Sequence, residues 1–77
     1  MLTADTITDD QIREMRERSV ARFERGVDTA EDRQAAEWAR LALVPKMLWP
    51  TLSDIDRDHV QRARARCAEI LNARSTP

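Results

Sequence analysis

The chain has 77 residues, a formal net charge of −1, a pI near 5.8 and 35% charged side chains. One cysteine and one histidine rule out an intramolecular disulfide and the usual cysteine–histidine zinc site, and the charge balance argues against sequence-independent nucleic-acid binding, which needs a basic domain. With no secretory h-region after Met1 and no apolar run long enough to span a bilayer, the expected compartment is the reducing cytoplasm, without membrane contact.

All the periodicity is helical, and strand-type alternation is absent. The expectation is one all-α domain over 1–77, a small three-helix bundle with helices at about 9–25, 30–44 and 54–74 and frayed ends at 1–7 and 75–77. A core of this size yields only a few kcal/mol of net stability, so a second copy is an expected source of support.

The first helix opens on Thr8-Asp9-Asp10-Gln11, which fits a capping box with Ile7 stapled onto Ile12. Gly26 supplies a left-handed exit. Ile12, Met15, Val20 and Phe23 form the expected core stripe, with Ser19 between them. The opposite face alternates Arg and Glu, the pattern of a solvated surface with pairs such as Glu14–Arg18.

The second helix opens at Asp28 or Thr29 with Glu31 and Asp32 in its first turn. Its early part is polar. Ala35, Trp38, Leu41 and Ala42 make one apolar stripe, while Ala39 and Leu43 lie round from it and Val44 lies to its other side. A helix apolar on several sides is usually buried on several sides. A plain three-helix bundle has no central helix, so this pattern implies a second contact surface. Pro45 ends the helix near Val44, with a kinked continuation through Trp49 as the competing reading.

Leu41 to Leu52 reads LALVPKMLWPTL, with Lys46 as its one charge and prolines at 45 and 50. Leu41, Ala42 and Leu52 are assigned to packing. Trp38, Leu43, Val44, Met47, Leu48 and Trp49 remain as the candidate partner-binding set, with Trp49 as a large apolar anchor beside an adaptable Met47. Closure of a small core by the same residues is the competing reading.

The third helix follows Pro50 and Thr51, capped at Ser53 with Asp54 and Asp56 in its first turn. Its expected core stripe is Ile55, Val60, Ala63, Cys67, Ile70 and Leu71. Asp54, Asp56 and Asp58 imitate the start of a calcium loop, but His59 stands where the loop needs Gly and Ala65 where it needs Glu. His59 and Cys67 lie about 12 Å apart along the helix, too far for a dyad. No nucleophile–base pair or phosphate loop is legible, so the expectation is a protein that is not an enzyme, with no cofactor or metal. Arg57, Arg62, Arg64 and Arg66 are the candidate nucleic-acid contacts of the alternative reading, a small DNA-binding regulator. Asp58 and Glu69 are placed to neutralise Arg62 and Arg66.

Ile7-Thr8-Asp9-Asp10-Gln11-Ile12-Arg13 and Ala63-Arg64-Ala65-Arg66-Cys67-Ala68-Glu69-Ile70-Leu71 resemble the two ends of short proteins found in phages and mobile elements of GC-rich bacteria. The middle of the chain, with Trp38 and the two prolines, departs from that type. The resemblance implies an accessory role: binding a host protein, sometimes as an inhibitor of host defence. It assigns no functional residue. The partners to consider are then a second copy, as a homodimer through the late second helix, and a host protein. Nucleic acid ranks below both.

Overall fold

A computed structural model describes residues 1–75, so of the ends expected to fray, residues 76 and 77 lie outside the described part. Three α-helices make up the fold: α1 (Asp9–Glu24), α2 (Ala30–Ala42) and α3 (Asp54–Ser75). A six-residue 3-10 turn, Lys46–Thr51, joins α2 to α3. The described residues contain no strand and no helix long and apolar enough to cross a membrane.

Local signals set most of the boundaries. Thr8 and Gln11 form the reciprocal capping box: the Thr8 N–H donates to Gln11 Oε1 at 2.9 Å, and the Gln11 N–H to Thr8 Oγ1 at 3.2 Å. At the other end of α1, Gly26 takes φ +89°. Its N–H donates to the Phe23 carbonyl and the Val27 N–H to the Arg22 carbonyl, each at 2.9 Å, which closes the helix in a Schellman motif. Thr29 caps α2 through the Asp32 N–H, and Ser53 caps α3 through the Asp56 N–H. The α2 helix stops at Ala42, two residues before the expected Val44 and without a kinked continuation. Pro45 disfavours helix at the residue before it, and the chain resumes as the tighter 3-10 turn.

The interior gathers Ile7, Ile12, Met15, Ala35, Ala39, Ala42, Ala63, Cys67 and Ala68, with Leu2, Trp38, Leu43, Ile70 and Leu71 packed round them. Five of these nine buried residues are alanine, a side chain small enough to let helix backbones approach closely. Ala35, Ala39 and Ala42 follow the i, i+4, i+7 spacing of one helix face. Leu41, expected on this stripe, is exposed.

The α2 helix is the middle one: it packs against both α1 and α3. That corrects the expectation of a bundle without a central helix. Most of the apolar breadth of α2 is used inside the molecule, and it does not by itself require a second contact surface.

Of the residues expected to fray at the start of the chain, Met1 is fully exposed, whereas 2–7 are held against the helices. Ile7 is buried and Leu2 packs against the core. The Leu2 N–H donates to Asn72 Oδ1 at 2.9 Å, and Asn72 Nδ2 donates back to the Leu2 carbonyl at 2.8 Å. Thr3 and Thr6 close a turn between these anchors. Residues 2–8 thus form a strap laid on the helices. At the other end, Ser75 completes the last turn of α3 and its Oγ donates to the Leu71 carbonyl.

Two stretches of the expected core lie outside. Phe23 is 57% exposed and Ile55 is 70% exposed, with Val20 also at the surface. The cause is geometric. Asp32 meets Arg22 and Arg74, so the polar start of α2 lies beside the end of α1 and has no large apolar side chain to cover Phe23. The α3 helix is about 33 Å long and α2 about 20 Å. With Arg74 beside Asp32, the excess length of α3 projects at its N-terminal end and leaves Ile55 uncovered.

Candidate functional site

The six residues of the candidate partner-binding set divide once they are placed. Trp38 and Leu43 are half-buried and pack against the core. Trp38 also walls a shallow groove of about 510 Å³ between α2 and α3, with Gln34, Glu37, Arg66, Glu69 and Ile70. Val44 is half-buried, and its carbonyl accepts a 2.9 Å hydrogen bond from Trp49 Nε1–H. This bond folds the indole back across Pro45 and satisfies its only donor. Met47 and Leu48 are left outside, 83% and 47% exposed.

The turn that carries them is held at several points. The Leu48 N–H donates to the Pro45 carbonyl and the Leu52 N–H to the Trp49 carbonyl. Thr51 Oγ1 donates to the Leu48 carbonyl. The Arg64 guanidinium stands over the Trp49 ring, 6.0 Å from its centroid. Met47 and Leu48 are therefore displayed from a backbone that is already ordered. Trp49, expected as an anchor for a partner's pocket, is engaged within its own chain.

The four arginines of the alternative reading are not brought together. Arg57, Arg62 and Arg66 lie on the surface in ion pairs with Asp54 at 2.8 Å, Asp58 at 3.1 Å and Glu69 at 3.0 Å. The pairs with Asp58 and Glu69 are those expected from helical spacing. Arg64 is only 2% exposed, which corrects its placement among surface contacts. Its Nη2 donates to the Ile7 carbonyl at 2.7 Å, Nη1 to Asp9 Oδ1 at 2.8 Å and Nε to the Ala4 carbonyl at 3.5 Å. In the interior, two carbonyls and a carboxylate take the place of the water a guanidinium otherwise binds.

A second buried charge sits at the opposite end of the bundle. Asp32 accepts from Arg22 Nε at 2.8 Å, Thr29 Oγ1 at 3.0 Å and Arg74 Nη2 at 3.4 Å. The Arg22 hydrogen bond is the main reason its carboxyl titrates below the ordinary aspartate range. Asp28 and Glu37 are likewise lowered by the hydrogen bonds of Arg33 and Arg40. Burial pushes the Cys67 thiol up to about 11, so it is a protonated core side chain at neutral pH. Among the described residues no group of three or more His, Cys, Asp or Glu is arranged to hold a metal ion.

Val20 and Phe23, expected on the core stripe of α1, instead line a groove between α1 and α2. Ser19, Val20, Phe23, Val27 and Ala36 line an apolar groove of about 150 Å³, flanked by Asp28, Asp32 and Arg33. The signal for it was present in the polar start of α2, which offers no large apolar side chain to cover Phe23.

The class defined by these features is a small all-α bundle with a displayed apolar turn. Compared with protein-family models, curated proteins and solved structures, the chain matches none of them.

Proposed function

We propose that this chain is a small non-catalytic protein-binding module that works through the 3-10 turn and the adjoining end of α2. The observation that carries the reading is the pair Met47 and Leu48, held out to solvent on a turn whose backbone and indole are already fixed. An ordered apolar display lowers the ordering cost of binding, and methionine adapts to the shape of a partner surface. The resemblance at the two ends supports an accessory protein of a phage or mobile element that acts on a host protein, for example a defence component. A second copy of the chain is the first partner to test.

The experiment is the mass in solution over a range of concentrations, for the wild type and for Met47→Glu combined with Leu48→Glu. Both positions are exposed, so the helical circular dichroism should persist. A concentration-dependent dimer that the double substitution abolishes supports self-association through this turn. A folded monomer throughout sinks self-association and leaves a heterologous partner. A dimer unaffected by the substitutions places the contact elsewhere.

A further inference from the structure

Arg64 is the largest fully buried side chain, and its neighbours come from three separate parts of the chain. It reaches the carbonyls of Ala4 and Ile7 in the strap, the carboxylate of Asp9 in the first turn of α1, and the face of Trp49 in the 3-10 turn. We infer that the strap and the 3-10 turn are two arms of one latch, joined through Arg64, so that undocking the strap releases the Trp49 indole from beneath the turn that displays Met47 and Leu48. The inference stands whatever the turn binds.

The coupling follows from what a buried guanidinium requires. Arg64 has five N–H donors and no acceptor, and it cannot discard its charge. While the strap is docked, the Ala4 and Ile7 carbonyls and Asp9 replace its hydration. When residues 2–7 lift away, both carbonyls leave together, and the remaining Asp9 contact leaves most of the donors unmatched. A guanidinium in that state is driven toward water. Its departure uncovers the Trp49 ring. The indole is then held by the Val44 carbonyl alone, and that bond opens together with the strap.

The strap has a second fastening remote from Arg64: the paired hydrogen bonds between Leu2 and Asn72, two turns further along α3. This permits a perturbation that touches neither Arg64 nor Trp49. Asn72→Ala removes the side-chain amide that holds Leu2 and leaves every group at the Arg64 centre in place.

Native-state hydrogen exchange on the full chain tests the latch. One probe is the Ile7 N–H, bonded to the Thr3 carbonyl at 3.0 Å within the strap. The other is Trp49 Nε1–H, bonded to the Val44 carbonyl in the turn region. In the wild type the two probes should open as one unit, with protection factors within about twofold of each other and well below those of Ala39 and Cys67 amides. Asn72→Ala should lower both by the same factor while the α2 amides keep their protection. Protection factors for Ile7 and Trp49 that differ by about tenfold or more in the wild type overturn the latch, independently of how any variant folds. So does an Asn72→Ala chain in which Ile7 loses protection and Trp49 does not.

Discussion

The two ends of the bundle each bury one charged side chain, and they do so in opposite ways. Arg64 is enclosed, and its partners are two backbone carbonyls from a strap nearly sixty residues away in the chain, together with Asp9. Asp32 is also buried, but the guanidinium groups that meet it belong to the partly exposed Arg22 and Arg74, and its nearest neighbour in sequence is the cap residue Thr29. The first arrangement joins the strap and the start of α1 to the middle of α3, beside the separate Leu2–Asn72 fastening further along that helix. The second reinforces two helix ends that α2 already holds together. A buried charge is thus an organiser of tertiary structure at one end and a local reinforcement at the other.

Substitution at the enclosed end should have the largest effect. Arg64→Ala is expected to cost about 3–5 kcal/mol, because it leaves Asp9 and two strap carbonyls without their donor and opens a cavity. Urea unfolding measures this. A loss near that of an exposed ion pair would remove the contrast between the ends. Between the two ends, Ala39→Leu inserts three carbons where two helices meet α2 and is expected to cost about 1–3 kcal/mol by the same assay. A neutral result would show that the helices can move apart, and that alanine packing does not set their spacing.

Asp32→Asn should cost less than either, and its effect should depend on pH. The folded carboxyl titrates below its unfolded value because Arg22 and Thr29 donate to the ionised form. Its contribution is therefore complete above the unfolded value near pH 3.9 and fades as pH falls through the lowered folded value. The difference in urea midpoint between wild type and Asp32→Asn should be present at pH 7 and shrink below about pH 4. A difference that persists at pH 2 would assign the effect to packing. The smallest change is expected at Met47→Ser, within about 0.5 kcal/mol in the isolated chain, since the side chain touches little of the protein. A larger loss would make the turn part of the core and weaken its reading as a display.

The sequence made the local features legible and left the long-range ones hidden. The Thr8–Gln11 box, the Gly26 exit and the Ser53 cap each depend on neighbours within a few residues and are present as expected, and of the two openings considered for α2 the cap is Thr29. Phe23, Leu41 and Ile55 were misplaced because a helical stripe shows which face is apolar, not whether another helix extends far enough to cover it. Arg64 was misplaced for the complementary reason. Two of its partners are backbone carbonyls, which carry no sequence signal, and the third, Asp9, lies 55 residues away in the chain. In the candidate contact set, Met47 and Leu48 are the exposed members, while the indole of Trp49 is claimed by Val44 and Arg64, neither of which is marked in the linear pattern.

The alanine-rich interior has a thermal consequence. Heat capacity on unfolding rises with the apolar area newly hydrated, and methyl groups at 35, 39, 42, 63 and 68 contribute less of it than the leucines or phenylalanines that ordinarily occupy such sites. The stability curve of this protein should be shallow, with a broad melting transition and a modest loss of stability on cooling. A chain that relies on close backbone approach rather than bulky side chains would then hold its fold at similar strength across a wide span of temperature.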